Sequence, residues 1–150
     1  MKALLDSATL IAAMLPGHVH HADAYPWLAR GKAGAFEFFV SGHSLAEVYS
    51  VLTRLPRTPR IGPAEAWRLL EENVISSASL ITLSGSDYAA LIAELSQRGV
   101  IGGTVYDAVI AKAAELAQVD RLITINDAHF LQVWPGGAGR IASPLSVAPP

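Results

Sequence analysis

Short apolar runs of strand length alternate with longer stretches at helical spacing along most of this 150-residue chain. Ala3-Leu4-Leu5 reads as a first strand that ends at Asp6-Ser7. Ala8 to Leu15 continues as a helix, stopped by Pro16-Gly17. A second helix is expected over His18 to Ala29, with Ala24, Trp27 and Leu28 inward. Lys32 to Gly34 then turns the chain into Ala35 to Val40, a strand rich in aromatic residues. Ser44 to Leu55 places Leu45, Val48, Val51, Leu52 and Leu55 on one helical face. Pro63 to Val74 is a helix opened by proline. Leu80 to Leu83 is a strand, and Asp87 to Arg98 a helix capped by Ser86. Thr104 is expected to cap a helix ending near Ala117, with an apolar stripe of Val105, Ala108, Val109, Ala113 and Leu116. Leu122 to Ile125 is the fourth strand, and Asn126-Asp127 begins a turn or short helix. Trp134 to Gly139 reads as loop and Arg140 to Ala142 as an edge strand.

This alternation predicts an α/β fold, a mostly parallel sheet of four to five strands with helices on both faces. One domain over residues 1–144 is expected, with a flexible C-terminal tail over 145–150. Composition changes the picture in three ways. At 51% hydrophobic and 16% charged, the chain has a large core or a covered partner surface. With 11 basic and 13 acidic residues the net charge is −2, so only a local basic patch or a metal would draw nucleic acid. The absence of cysteine excludes disulfides and thiolate metal sites. The N-terminal apolar run, Ala8 to Leu15, is far short of the ~20 residues of a membrane span. A cytoplasmic protein without membrane association is expected.

Ligands of parallel sheets bind outside the carboxyl ends of the strands. Asp6 follows the first strand, Glu47 lies three residues after Ser44, and Asp107 three after Thr104. Asn126 and Asp127 follow the fourth strand, so all these positions belong at one edge of the sheet. Taken singly, each is a helix-start residue stabilised by capping and the helix dipole. Taken together, the carboxylates repel one another unless a cation lies between them. Mg2+ or Mn2+ suits such a rim, because each binds through a few carboxylates, keeps waters and clamps phosphate oxygens.

The segments LLDSATLIAAM, HVHHADAYPWL, SLAEVYSVLTR, RGVIGGTVYDAVIAKAAEL and LITINDAHF resemble a PIN domain, and more closely the VapC-type toxins of bacterial toxin–antitoxin pairs. The resemblance spans essentially the whole chain, and GGTVYDAVIA and LITINDAHF are its specific pieces. It implies a three-layer α/β/α fold and a metal-dependent endoribonuclease acting on RNA. The implied acids match Asp6 and Asp107 as principal ligands of Mg2+ or Mn2+. Glu47 matches a third acid that holds a second metal or orients the attacking water. The fourth acid of the family falls at Asn126, an amide here, and Asp127 is the neighbour that could supply its charge. The implied partners are a cognate VapB-type antitoxin, reaching the acids with a basic side chain, and a second copy of the chain in a homodimer.

Other residues carry weaker signals. His18, His20 and His21 do not share one helical face and read as a solvated or RNA-facing patch rather than a metal site. His43 and His129 flank the rim and read as packed surface histidines, with a phosphate contact as the alternative, while Thr124 reads as a hydrogen bond to a rim carboxylate or water or simply as a strand residue. Arg54, Arg57 and Arg60 read most simply as a solvated loop, and as the densest positive charge they are also the best local candidate for an RNA track. Tyr25, Trp27 and Trp67 are expected in core or partner contacts. Two rival readings remain: a non-catalytic binding module on the PIN fold, for which Asn126 argues, and a Mg2+-dependent phospho-acceptor domain. The second needs adjacent acids after the first strand and an aspartate after a middle one. Asp6-Ser7 and Thr82-Leu83-Ser84 supply neither.

Overall fold

The computed structural model describes residues 1–150. Five strands form where β-branched, aromatic and leucine-rich runs occur: β1 (Lys2–Leu5), β2 (Glu37–Ser41), β3 (Ser79–Ile81), β4 (Arg121–Ile123) and β5 (Ile141–Ala142). The helices are α1 (Ser7–Met14), α2 (His21–Lys32), α3 (Gly42–Arg54), α4 (Pro63–Leu70), α5 (Gly85–Gln97), α6 (Thr104–Leu116) and α7 (Asp127–Val133). The sheet order is β3-β2-β1-β4-β5, and every neighbouring pair is parallel. After β1 the chain moves outward through β2 and β3, then returns to build β4 and β5 on the opposite side. The crevice between β1 and β4 is therefore the switch point at which such sheets hold ligands.

The period-two alternation of the strands divides the core into two layers. Ala3 and Leu5 of β1 and Ile123 of β4 face one cluster, with Leu10, Leu28, Val48, Leu52 and Leu70 from α1 to α4. Leu4 and Leu122 face the other, with Leu95, Ile110 and Phe130 from α5, α6 and α7. Each fully buried leucine contributes about 2 kcal/mol of apolar burial. The result is the expected three-layer α/β/α sandwich with five strands, pinning the ends of β1 and β4 side by side.

Several boundaries differ from the sequence reading for identifiable reasons. The helix from Pro63 stops at Leu70 and continues as a π-turn over Glu71–Ile75. There Asn73 donates its side-chain amide to the Leu69 carbonyl (2.8 Å), a side-chain bond that competes with the helical ladder. α2 starts at His21 rather than His18, because His18 N–H and His21 N–H close turns onto Leu15 and His18. The expected loop at Trp134 to Gly139 is a 3-10 helix over Pro135–Arg140. Beyond β5, the last residues lie along α2: Trp27 Nε1 donates to Val147 O (3.1 Å) and Arg30 Nε to Pro150 O (2.6 Å). No helix is long and apolar enough to cross a membrane.

Candidate active site

Asp6 sits where β1 ends and α1 begins, and both neighbours determine its geometry. Its backbone N–H donates to Ile123 O of β4 (3.1 Å). Its side chain caps α1, Oδ1 accepting from Thr9 N–H at 2.7 Å. Oδ2 accepts from the buried Thr124 hydroxyl at 2.7 Å. Thr124 Oγ1 in turn accepts from the Asn126 N–H (2.9 Å), so the end of β4 is tied to the Asp6 carboxylate. Asp6 is only 2% exposed. Burial pushes its pKa up to about 6, against the lowering effect of the Thr9 and Thr124 hydrogen bonds; the Asp107 charge pushes the same way as burial.

Glu47 lies in the second turn of α3, which begins at Gly42 rather than at Ser44. The expected Ser44–Glu47 capping box is therefore absent: Ser41 is the N-cap, and Ser44 Oγ is buried without a partner. The Glu47 carboxylate reaches across to α1 instead, where Ser7 Oγ donates to Oε2 at 2.5 Å. Nothing in the sequence singles out Ser7, because its role depends on a residue forty positions away. His43, one helical turn before Glu47, places Nε2 3.7 Å from the same Oε2.

Asp107 falls in the first turn of α6, whose N-cap is Gly103 with Thr104 as first helical residue. No side chain caps that helix, so the Asp107 carboxylate is not consumed by a capping box. It is half-buried, and burial raises its pKa; nearby His129 opposes the rise and the Glu47 charge adds to it. His129 Nδ1 lies 3.5 Å from Asp107 Oδ2. The Asp107 charge adds to the upward shift of Asp6, and the Glu47 charge to that of Asp107, so each of these two pairs lies within electrostatic reach.

Asn126 and Asp127 stand differently. Asn126 is the exposed N-cap residue of α7 and makes no side-chain cap bond; it touches the site through its backbone N–H on Thr124. Asp127 is exposed, and its Oδ1 accepts from Ala128 N–H (2.9 Å), a helix-start contact. The structure gives Asp127 no contact with the three rim acids. No group of three or more His, Asp or Glu side chains closes into a ready-made metal cage. Mg2+ does not require one, since it binds through one or two carboxylates and keeps its waters. The donor chemistry fits such a hard cation, with oxygen ligands only and carboxylates that repel one another.

The remaining residues sort by place. His18 and His20 precede α2, with ring centroids 5.8 Å apart, and His21 Nδ1 pairs with Ala12 O (3.0 Å). Trp27 is core, whereas Tyr25 and Trp67 are exposed. Arg57 borders a groove of about 540 Å3 with His18, Leu15 and Leu55, while Arg54 borders a separate one beside Glu47.

The family model of the PIN domain matches residues 3–133. The chain belongs to the PIN-domain family. Ribonuclease VapC27 of Mycobacterium tuberculosis is 40% identical over 110 residues, 73% of this chain and 74% of that protein. Ribonuclease VapC40 of the same organism is 33% identical over 112 residues, covering 75% of this chain and 78% of the relative. The crystal structure of M. tuberculosis VapC20, a sarcin–ricin loop cleaving toxin, matches with a TM-score of 0.62 at 15% identity. That match covers 80% of this chain and 86% of VapC20, and it shows the shared fold alone. With these sequence relatives, the chain is a VapC-type member of the PIN-domain family.

Proposed function

We propose that this VapC-type PIN domain is an endoribonuclease, the toxin of a toxin–antitoxin pair, and that Mg2+ or Mn2+ assists it at the Asp6, Glu47 and Asp107 rim. The observation that supports the reading is the buried Asp6 at the β1–β4 switch point, with the Asp107 charge raising its pKa and the Glu47 charge raising that of Asp107. Identity to a ribonuclease supplies the substrate class.

Asp6 and Asp107 would hold the cation. Bound there, it would supply an activated water at neutral pH and positive charge for the non-bridging phosphate oxygens. The chain's own residues do the positioning. Thr9 and Thr124 fix both Asp6 oxygens, leaving the carboxylate no free rotamer. Ser7 holds Glu47 Oε2, which leaves Oε1 free to accept a proton from the attacking water. Water oxygen would add to phosphorus as one P–O bond breaks, and the departing alkoxide would take a proton from solvent, leaving a phosphomonoester and an alcohol.

Asp107→Asn preserves the shape of α6 but removes one charge from the rim. RNA cleavage by the purified variant in Mg2+ is expected to fall about 100-fold or more. Cleavage at the wild-type rate would remove the rim from the chemistry. The exposed, unbonded Asn126 side chain favours a second reading, a binding module that holds RNA without cutting it. Wild-type protein that binds RNA and Mg2+ yet leaves the RNA intact would establish that instead. As partners we propose a second copy of the chain and an antitoxin whose basic side chain reaches the acids. Light scattering at monomer mass, or a cognate antitoxin that neither co-purifies nor relieves growth arrest, would contradict these two assignments.

A further inference from the structure

Along α3, beside the acids, His43, Glu47, Ser50 and Arg54 line an open groove of about 360 Å3, closed on its far side by Tyr106 of α6. Glu47, Ser50 and Arg54 are spaced to share one helical face, so the groove runs continuously from the rim to the end of α3. Two of its features reach beyond the acids.

The first is an aromatic platform. The His43 and Tyr106 rings stack, with centroids 4.9 Å apart and planes 16° from parallel. Tyr106 nevertheless stays 53% exposed. His43 Nε2 is shielded from solvent and has no hydrogen-bond partner, its nearest polar approach being Glu47 Oε2 at 3.7 Å, so the stack on Tyr106 is the closest constraint on the ring. A tyrosine ring backed on one face by a second ring is held in orientation while the rest of its surface faces the groove. The second feature is Arg54, an exposed guanidinium that takes part in none of the ion pairs. A flat ring and an unpaired planar cation, on either side of a carboxylate, match the two halves of a nucleotide. Bases stack on aromatic faces, and arginine pairs with phosphate. An acidic peptide would use Arg54 but meet Glu47 as a like charge, and an apolar peptide would leave Arg54 unused.

We propose that His43, Tyr106 and Arg54 form a subsite for one RNA nucleotide adjoining the bond that is cut, with its base on Tyr106 and its phosphate on Arg54. This rests on the RNA-hydrolase reading above. The probe is a fluorescein-labelled single-stranded oligoribonucleotide of mixed sequence. Its cleavage in Mg2+ is followed for Tyr106→Ala, Tyr106→Phe and Arg54→Gln, and its binding to Asp107→Asn protein, with and without each change, by anisotropy. Tyr106→Ala should raise KM and Kd about 10-fold, with kcat nearly unchanged, and Tyr106→Phe should restore both. Arg54→Gln should flatten the salt dependence of binding by about one released ion. Wild-type KM and Kd in Tyr106→Ala, or a loss confined to kcat, would overturn the subsite while the ribonuclease reading stands. If wild-type protein does not cut RNA, that reading falls, and the binding arm still decides the subsite. If Tyr106→Ala fails to fold, an unchanged salt slope in Arg54→Gln overturns it.

Discussion

Asp6 is the residue at which function and stability pull in opposite directions. Its carboxylate is buried and its pKa is pushed up to about 6, so folding disfavours the ionised form that a cation needs. A folded-state pKa raised above the unfolded one gives stability that is complete below about pH 4 and lost as pH rises through about 6. Keeping this carboxylate ionised inside the fold at neutral pH costs about 3 kcal/mol relative to the unfolded chain. Asp6→Asn keeps a side-chain oxygen for the Thr9 N–H and removes the charge. Metal-free Asp6→Asn should therefore be more stable than wild type by about 1–3 kcal/mol at pH 7, and no more stable at pH 4. Urea unfolding at the two pH values checks this, and an equal difference at both would assign the effect to packing. Asp6 and Asp107 stand out in the sequence because one follows a strand and the other falls in the first turn of a helix, whereas Glu47, in the second turn of α3, stands out only by its spacing from Ser44. Thr124 was legible as a bond to the rim. Ser7 and Tyr106 were not, since their partners Glu47 and His43 lie on other helices and only the packing of α1, α3 and α6 unites them.

At the scale of elements, the sequence marks helix starts well but assigns their capping residues poorly. Serines or threonines stand close together at the starts of α1, α3 and α5, and which one caps depends on a shift of a few residues in register. At α5 the N-cap is Ser84, not Ser86: Ser84 Oγ accepts from the Asp87 N–H (3.1 Å), and Asp87 Oδ2 accepts from the Ser84 N–H (2.8 Å). The Ser84 hydroxyl, which also donates to Asp87 Oδ2 (2.6 Å), and then the Ser84 N–H hold the Asp87 carboxyl below its usual range. Ser84→Ala should cost about 1 kcal/mol and lower Tm by about 2–4 °C, while Ser86→Ala should change Tm by less than about 1 °C. Calorimetry on the two variants separates the assignments, and equal losses would contradict the observed cap. At α3 and α6 the same register effect bears on the site. The helices begin at Gly42 and Thr104, so Glu47 and Asp107 are released from capping and left to the rim. Neither the π-turn after α4 nor the 3-10 turn after α7 had a signal in hydrophobic period, since both arise from local bonds made once the chain is packed.

At the scale of the whole molecule, two hydrophobic layers fix β1, α3 and α6, and with them Asp6, Glu47 and Asp107, so that the Asp107 charge repels Asp6 and the Glu47 charge repels Asp107. A divalent cation relieves that repulsion in the folded state and finds no such rim in the unfolded chain. Its binding free energy then adds to global stability as RT ln(1 + [L]/Kd), about 2.7 kcal/mol at a hundredfold excess over Kd. For a domain of this size that raises Tm by about 5–10 °C. The rise should shrink below about pH 6, where the buried Asp6 takes up a proton and competes with the cation. Asp107→Asn should reduce it at every pH. Asn126→Asp should enlarge it while lowering metal-free stability, if position 126 adds its charge to the rim. Melting curves with Mg2+, with Mn2+ and with chelator, on these three proteins at pH 5 and pH 7.5, test the set. A Tm indifferent to both metals in the wild type would detach the rim from metal binding altogether, and a shift unchanged by Asn126→Asp would place that residue outside it.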